Sequence, residues 1–82
     1  MSDSEIIMYG TKWCPDCIRA KKVFEQHGTP YKWIDIEEDR EAVAIVLDIN
    51  KGHRIVPTIL FPDGAVLIEP STPVLKAKLS GQ

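Results

Sequence analysis

The sequence predicts an α/β domain, a four-stranded mixed sheet packed against three helices in the order β-α-β-α-β-β-α. Three observations carry this. Short apolar runs, Ile6 to Tyr9 and Tyr31 to Ile36, flank a helix-length segment that opens on Pro15 and stops at Gly28. Pro62-Asp63-Gly64 separates two further apolar runs as a hairpin turn. A chain of 82 residues has room for one core, so 1–82 reads as a single domain, with 1–4 expected to be disordered.

Ile6-Ile7-Met8-Tyr9, ended by Gly10, reads as a buried strand, followed by a loop from Thr11 to Cys14. Pro15 suits the first position of a helix, where its missing N–H costs nothing. Ile18, Ala20, Val23 and Phe24 mark that helix's inner side, and Gly28 then Pro30 close it. Trp33 and Asp35 alternate with Ile34 and Ile36 in the second strand. Glu37-Glu38-Asp39 puts negative charge at the start of the next helix, which the dipole favours. Val43, Ile45 or Val46, Leu47 and Ile49 supply its apolar face, and Gly52 ends it. Arg54 to Phe61 holds a third strand and Ala65 to Ile68 its hairpin partner. Thr72 is the expected N-cap of the last helix, with Pro73 in its first turn and Val74, Leu75 and Leu79 facing the sheet.

Composition excludes several classes. An apolar share of 44% with 27% charged residues is ordinary for a globular domain, and a net charge of −2 gives no general pull toward nucleic acid or an anionic membrane. Apolar runs such as Ala42 to Leu47 fall far short of the ~20 residues that span a bilayer. The opening Met1 to Glu5 is acidic and polar, unlike a signal peptide, so a cytoplasmic location is expected. In that compartment a lone cysteine pair is rarely a structural staple.

Cys14-Pro15-Asp16-Cys17 sits where a strand feeds a helix. Cys14 just precedes the helix and Cys17 lies one turn further in, within reach for a disulfide. The Cys14 sulfur then faces unpaired backbone N–H groups and the positive end of the dipole, which stabilise a thiolate. Two cysteines at this spacing beside a βαβ pattern are a redox signal. A zinc site would need a second ligand pair, and His27 and His53 are single and distant, so no metal is expected. Pro57 is unusual at the head of a core strand: a cis Val56-Pro57 bond or an edge-strand trans proline would each explain it. Lys12 stands near Cys14 and would favour its thiolate weakly. Trp13 is either a substrate platform or a partly buried aromatic. Arg19, Lys21 and Lys22 read as a solvated helix face. Asp16, between the sulfurs, either opposes a neighbouring thiolate and so tunes it, or points into solvent.

These residues resemble the glutaredoxins of the thioredoxin superfamily, and within them the mycoredoxin-like branch. The resemblance rests on Thr11-Lys12-Trp13-Cys14-Pro15-Asp16-Cys17, Asn50-Lys51-Gly52, Val56 through Gly64 with its Val-Pro-Thr and Phe-Pro-Asp-Gly pieces, and Glu69-Pro70-Ser71. It implies a thioredoxin-like fold, Cys14 as nucleophile, Cys17 as resolving thiol, substrate alignment by Val56 and a cis Pro57, and a thiol-binding groove lined by Lys12. Glutathione-using members carry a Gly-Gly pair and an Asp after the last strand. Here that stretch reads Ile68-Glu69-Pro70-Ser71-Thr72, so Ser71 and Thr72 are the candidate substrate contacts. Mycoredoxins commonly place Gly-Tyr between the cysteines, where this chain has Pro-Asp.

The resemblance implies a monomeric thiol–disulfide oxidoreductase that reduces mixed disulfides between proteins and a low-molecular-weight thiol. Mycothiol or glutathione is then the co-substrate, and no bound cofactor is needed. Two rivals stand beside it. One is a dithiol electron donor to an enzyme such as ribonucleotide reductase, recharged by a flavoprotein disulfide reductase. The other is a non-enzymatic carrier of an iron–sulfur cluster or metal.

Overall fold

Strand β1 (Ile7–Gly10) lies inside the sheet of the computed structural model, which describes residues 5–81. The first four residues, expected to be disordered, fall outside the described range. After β1 come α1 (Pro15–His27), β2 (Lys32–Asp35), α2 (Arg40–Ile49), β3 (Thr58–Leu60), β4 (Val66–Ile68) and α3 (Thr72–Ser80). The four strands stand in the order β2-β1-β3-β4. β2 runs parallel to β1, with Met8 opposite Trp33 and Gly10 opposite Asp35; β3 and β4 are antiparallel to their neighbours. Order and mixed character agree with the sequence reading.

Alternation along the strands sends side chains to two unequal cores. Ile6 and Met8 of the β1 segment and Ile59 and Phe61 of the β3 segment join Ala20, Val23 and Phe24 of α1 and Leu75 and Leu79 of α3. Tyr9 and Ile36 face the other way, onto Ala42 and Val46 of α2. Two helices cover one face of the sheet and one helix covers the other.

Several local expectations are corrected. Ile18 is exposed, because α1 buries the stripe of Cys17, Ala20 and Phe24, and Ile18 sits about 100° round the helix from Cys17. Val74 is exposed for the same reason, since the inner stripe of α3 is Leu75 and Leu79, four residues apart. Of the alternatives in α2, Val46 is buried and Ile45 exposed. That helix ends at Ile49 with Asn50 as its cap, before Gly52. Ser71, not Thr72, caps α3. Pro73 has no N–H to cap, so the donor needing an acceptor is that of Val74, and it reaches Ser71 Oγ at 3.4 Å. The strands are shorter than their apolar runs, and Pro57 lies just ahead of β3 rather than within it.

Candidate active site

The end of β1 and the start of α1 place both sulfurs. Cys14 is itself the N-cap of α1: its backbone is extended, and its Sγ accepts the N–H of Cys17 at 3.2 Å, the role a serine oxygen commonly plays. Pro15 follows in the first turn, and Gly28, at φ 71, closes the helix in the left-handed conformation that glycine adopts without strain. Both cysteines are free thiols. Cys14 keeps 6% of its surface exposed and Cys17 none, so Cys14 is the less enclosed of the two.

Beneath Cys17 the fit is close. A methyl group on Gly10 would stand 2.6 Å from Cys17 Sγ and 2.7 Å from the Trp33 ring, so this position admits only glycine without displacement. Trp33 in turn carries the Lys21 ammonium 3.6 Å from its ring centre. Burial pushes the Cys17 thiol up to about 12 from an ordinary 9.0, with the hydrogen bond to Cys14 adding to it. At neutral pH Cys17 is therefore a protonated, enclosed thiol.

Opposite the sulfurs lies the Val56–Pro57 bond, which is cis, so the trans alternative falls away. The Cys14 S–H points at the Val56 carbonyl at 3.9 Å. A polar clasp behind it was not legible as such in the sequence. Asn50 Nδ2, buried, donates to Val46 O at 2.9 Å and to Thr58 Oγ1 at 3.1 Å, and Thr58 Oγ1 donates to Ile55 O at 2.8 Å. The clasp ties the end of α2 to the segment that carries Val56 and Pro57. The only signal available in the sequence was Asn50 at a helix end and Thr58 beside Pro57, residue types that hydrogen-bond when they are buried.

The rim is charged and exposed. Lys12 Nζ meets Glu38 Oε2 at 3.0 Å, and this contact raises the Lys12 pKa. Trp13, 67% exposed rather than partly buried, donates its indole N–H to Glu37 Oε1 at 3.0 Å. Asp16 pairs with Arg19 at 3.0 Å instead of pointing freely into solvent, and Arg19 reaches on to the Pro70 carbonyl at 3.4 Å. Arg19 and Lys21 are thus engaged and do not form a merely solvated face. A cleft of about 510 Å³ adjoins Glu37 and Glu38, with Asp39, Arg40 and Arg54 on its walls and Ile36 and Val43 beneath. Ser71 is exposed and Thr72 half-buried at the start of α3. Among the described residues no group of three or more His, Cys, Asp or Glu side chains is gathered to hold a metal, and no helix is long and apolar enough to cross a membrane.

Known proteins resemble this chain in sequence and in fold. A sequence profile of the glutaredoxin family matches residues 6–66. A glutaredoxin-named protein of Mycobacterium tuberculosis is 39% identical over 79 residues, covering 96% of this chain and 94% of the relative. Mycoredoxin 1 of Corynebacterium glutamicum is 37% identical over 76 residues, covering 93% and 94%. Among solved structures, the glutaredoxin of Methanosarcina mazei superposes with a TM-score of 0.75 at 23% identity, covering 94% of this chain and 79% of that one. With its thioredoxin-like fold and its paired cysteines at the head of α1, the chain belongs to the glutaredoxin family, and its relatives include a mycoredoxin.

Proposed function

We propose that the protein reduces mixed disulfides between proteins and a low-molecular-weight thiol, with Cys14 as the attacking sulfur. The carrying observation is the division of labour between the sulfurs: Cys14 caps the helix and keeps a small exposed edge, while Cys17 is fully enclosed and its thiol is raised to about 12. Cys14 thiolate attacks the small-thiol sulfur of the mixed disulfide, one S–S bond forms as the other breaks, and the protein thiolate leaves. A second small thiol, as thiolate, then attacks the adduct. Cys14 departs as thiolate and the two small-thiol sulfurs leave joined as a disulfide, so one free small thiol is consumed for each protein thiol released. If Cys17 attacks instead, it must first lose its proton, and burial opposes that. The external thiol meets no such burial penalty.

Val56 and Pro57 align the incoming disulfide opposite Cys14, and Lys12, Trp13, Ser71 and Thr72 border the groove that takes its remaining groups. Mycothiol and glutathione are the candidate co-substrates, in a cytoplasm whose flavoprotein disulfide reductases regenerate them. The protein acts as a monomer.

The test is release of a peptide from its mixed disulfides with glutathione and with mycothiol, using wild type, Cys14→Ser and Cys17→Ser. Cys14→Ser should be inactive, and Cys17→Ser should keep much of the turnover with excess small thiol. Turnover by Cys14→Ser, or alkylation of Cys17 ahead of Cys14, would refute the assignment.

A further inference from the structure

Two consecutive residues ahead of Cys14 are gripped by two consecutive residues ahead of α2. Lys12 pairs with Glu38 and Trp13 with Glu37, both at 3.0 Å and both on the exposed rim. Glu37 and Glu38 also line the cleft beside the site, where Asp39 adds a third carboxylate against Arg40 and Arg54. Lys12 is the cation nearest Cys14 in sequence, and its charge is already answered from within the chain. The same contact raises its pKa, with Asp35 and Glu37 adding smaller contributions of the same sign.

We infer that Glu38, supported by Glu37, is a specificity-determining residue: it competes for Lys12 with any carboxylate on the incoming small thiol and biases the site toward thiols that carry none. This rests on the proposed reduction of small-thiol mixed disulfides. The physical basis is simple competition. A carboxylate fixed in the chain is present at a constant local concentration, and a ligand carboxylate must displace it before it can use Lys12. A ligand whose polar groups are hydroxyls or amides has no such partner to displace and leaves the latch closed. Because the pair is exposed, the bias is modest and sensitive to salt.

The experiment uses one peptide in mixed disulfide with glutathione or with glutathione diethyl ester, two thiols that differ only in their carboxylates. kcat/KM is measured for wild type, Glu38→Gln, Lys12→Gln and the double variant. Glu38→Gln should raise the ratio of glutathione to diester kcat/KM about two- to fivefold, the range of an exposed ion pair. The gain should vanish in about 1 M salt, where the screening length is ~3 Å. It should also be largely lost in the Lys12→Gln background, the mark of coupling between the two residues. An unchanged ratio overturns the latch. So does an equal gain with Lys12 removed, because Glu38 would then act as a general field. If wild type turns over neither disulfide, the proposed function itself fails, which is a different result from turnover of both at a ratio that Glu38→Gln does not move.

Discussion

The floor and the rim of the site are built by different forces. Under Cys17 the fit is steric, with Gly10, the Trp33 ring and the buried sulfur leaving no room for one more carbon. Around Cys14 it is electrostatic, with Lys12–Glu38 and Asp16–Arg19 pairing at 3.0 Å on side chains that are between 40% and 70% exposed. Packing errors in an interior cost ~1–3 kcal/mol each, whereas exposed ion pairs are worth ~0.2–1 kcal/mol. The floor therefore constrains the fold and the rim is nearly free of it. Selectivity can drift at the rim while the enclosed sulfur stays where it is.

Gly10→Ala should break the floor. The added methyl would sit 2.6 Å from Cys17 Sγ, and a loss of ~1–3 kcal/mol is expected in urea denaturation. Unchanged stability would mean that the floor yields and is no stiffer than the rim. A smaller effect comes from the protonated Cys17. Its folded-state pKa, about 12, lies above the ordinary 9.0, so the folded chain holds that proton more tightly than the unfolded chain. The resulting stability is whole below about pH 9 and lost as pH rises toward 12. Between about pH 7 and about pH 10, the stability of wild type minus that of Cys17→Ser should fall by on the order of 1 kcal/mol. A constant difference would show that the sulfur is not enclosed in solution. The smallest effect belongs to the rim. Arg19 already answers the Asp16 charge, so Asp16→Asn should shift stability by less than about 0.5 kcal/mol and the Cys14 alkylation rate by less than about twofold. A large acceleration on alkylation would show that Asp16 restrains the sulfur after all.

The sequence disclosed the floor's chemistry but not its fit. Cys14 and Cys17, their place at a helix start, and the hairpin turn at Pro62-Asp63-Gly64 follow from local rules that act within a few residues, and the element order follows with them. Gly10 was legible only as the end of a strand, because its constraint comes from Trp33 on the neighbouring strand and Cys17 on α1. Ile18 and Val74 misled for a related reason: an apolar residue near a buried stripe does not reveal which side of it faces the core. At the rim, Lys12 and Trp13 were identifiable as neighbours of Cys14. Their partners, Glu38 for Lys12 and Glu37 for Trp13, lie 26 and 24 residues along the chain, and served in the sequence only as helix-start charge. Contacts between charged side chains distant in sequence leave no periodicity to read.

The clasp of Asn50, Thr58 and Ile55 has a consequence for the thermodynamics of recognition. It holds the backbone leading into Val56 through bonds that lie wholly inside the chain, at 2.8–3.1 Å. A strand arriving beside Val56 would meet a segment already in its binding shape. Preorganisation of this kind removes most of the ordering entropy from the association step. Under the proposed function, encounters with different client proteins would then be brief and still productive, since complementarity to this backbone need not be bought anew by each partner's side chains.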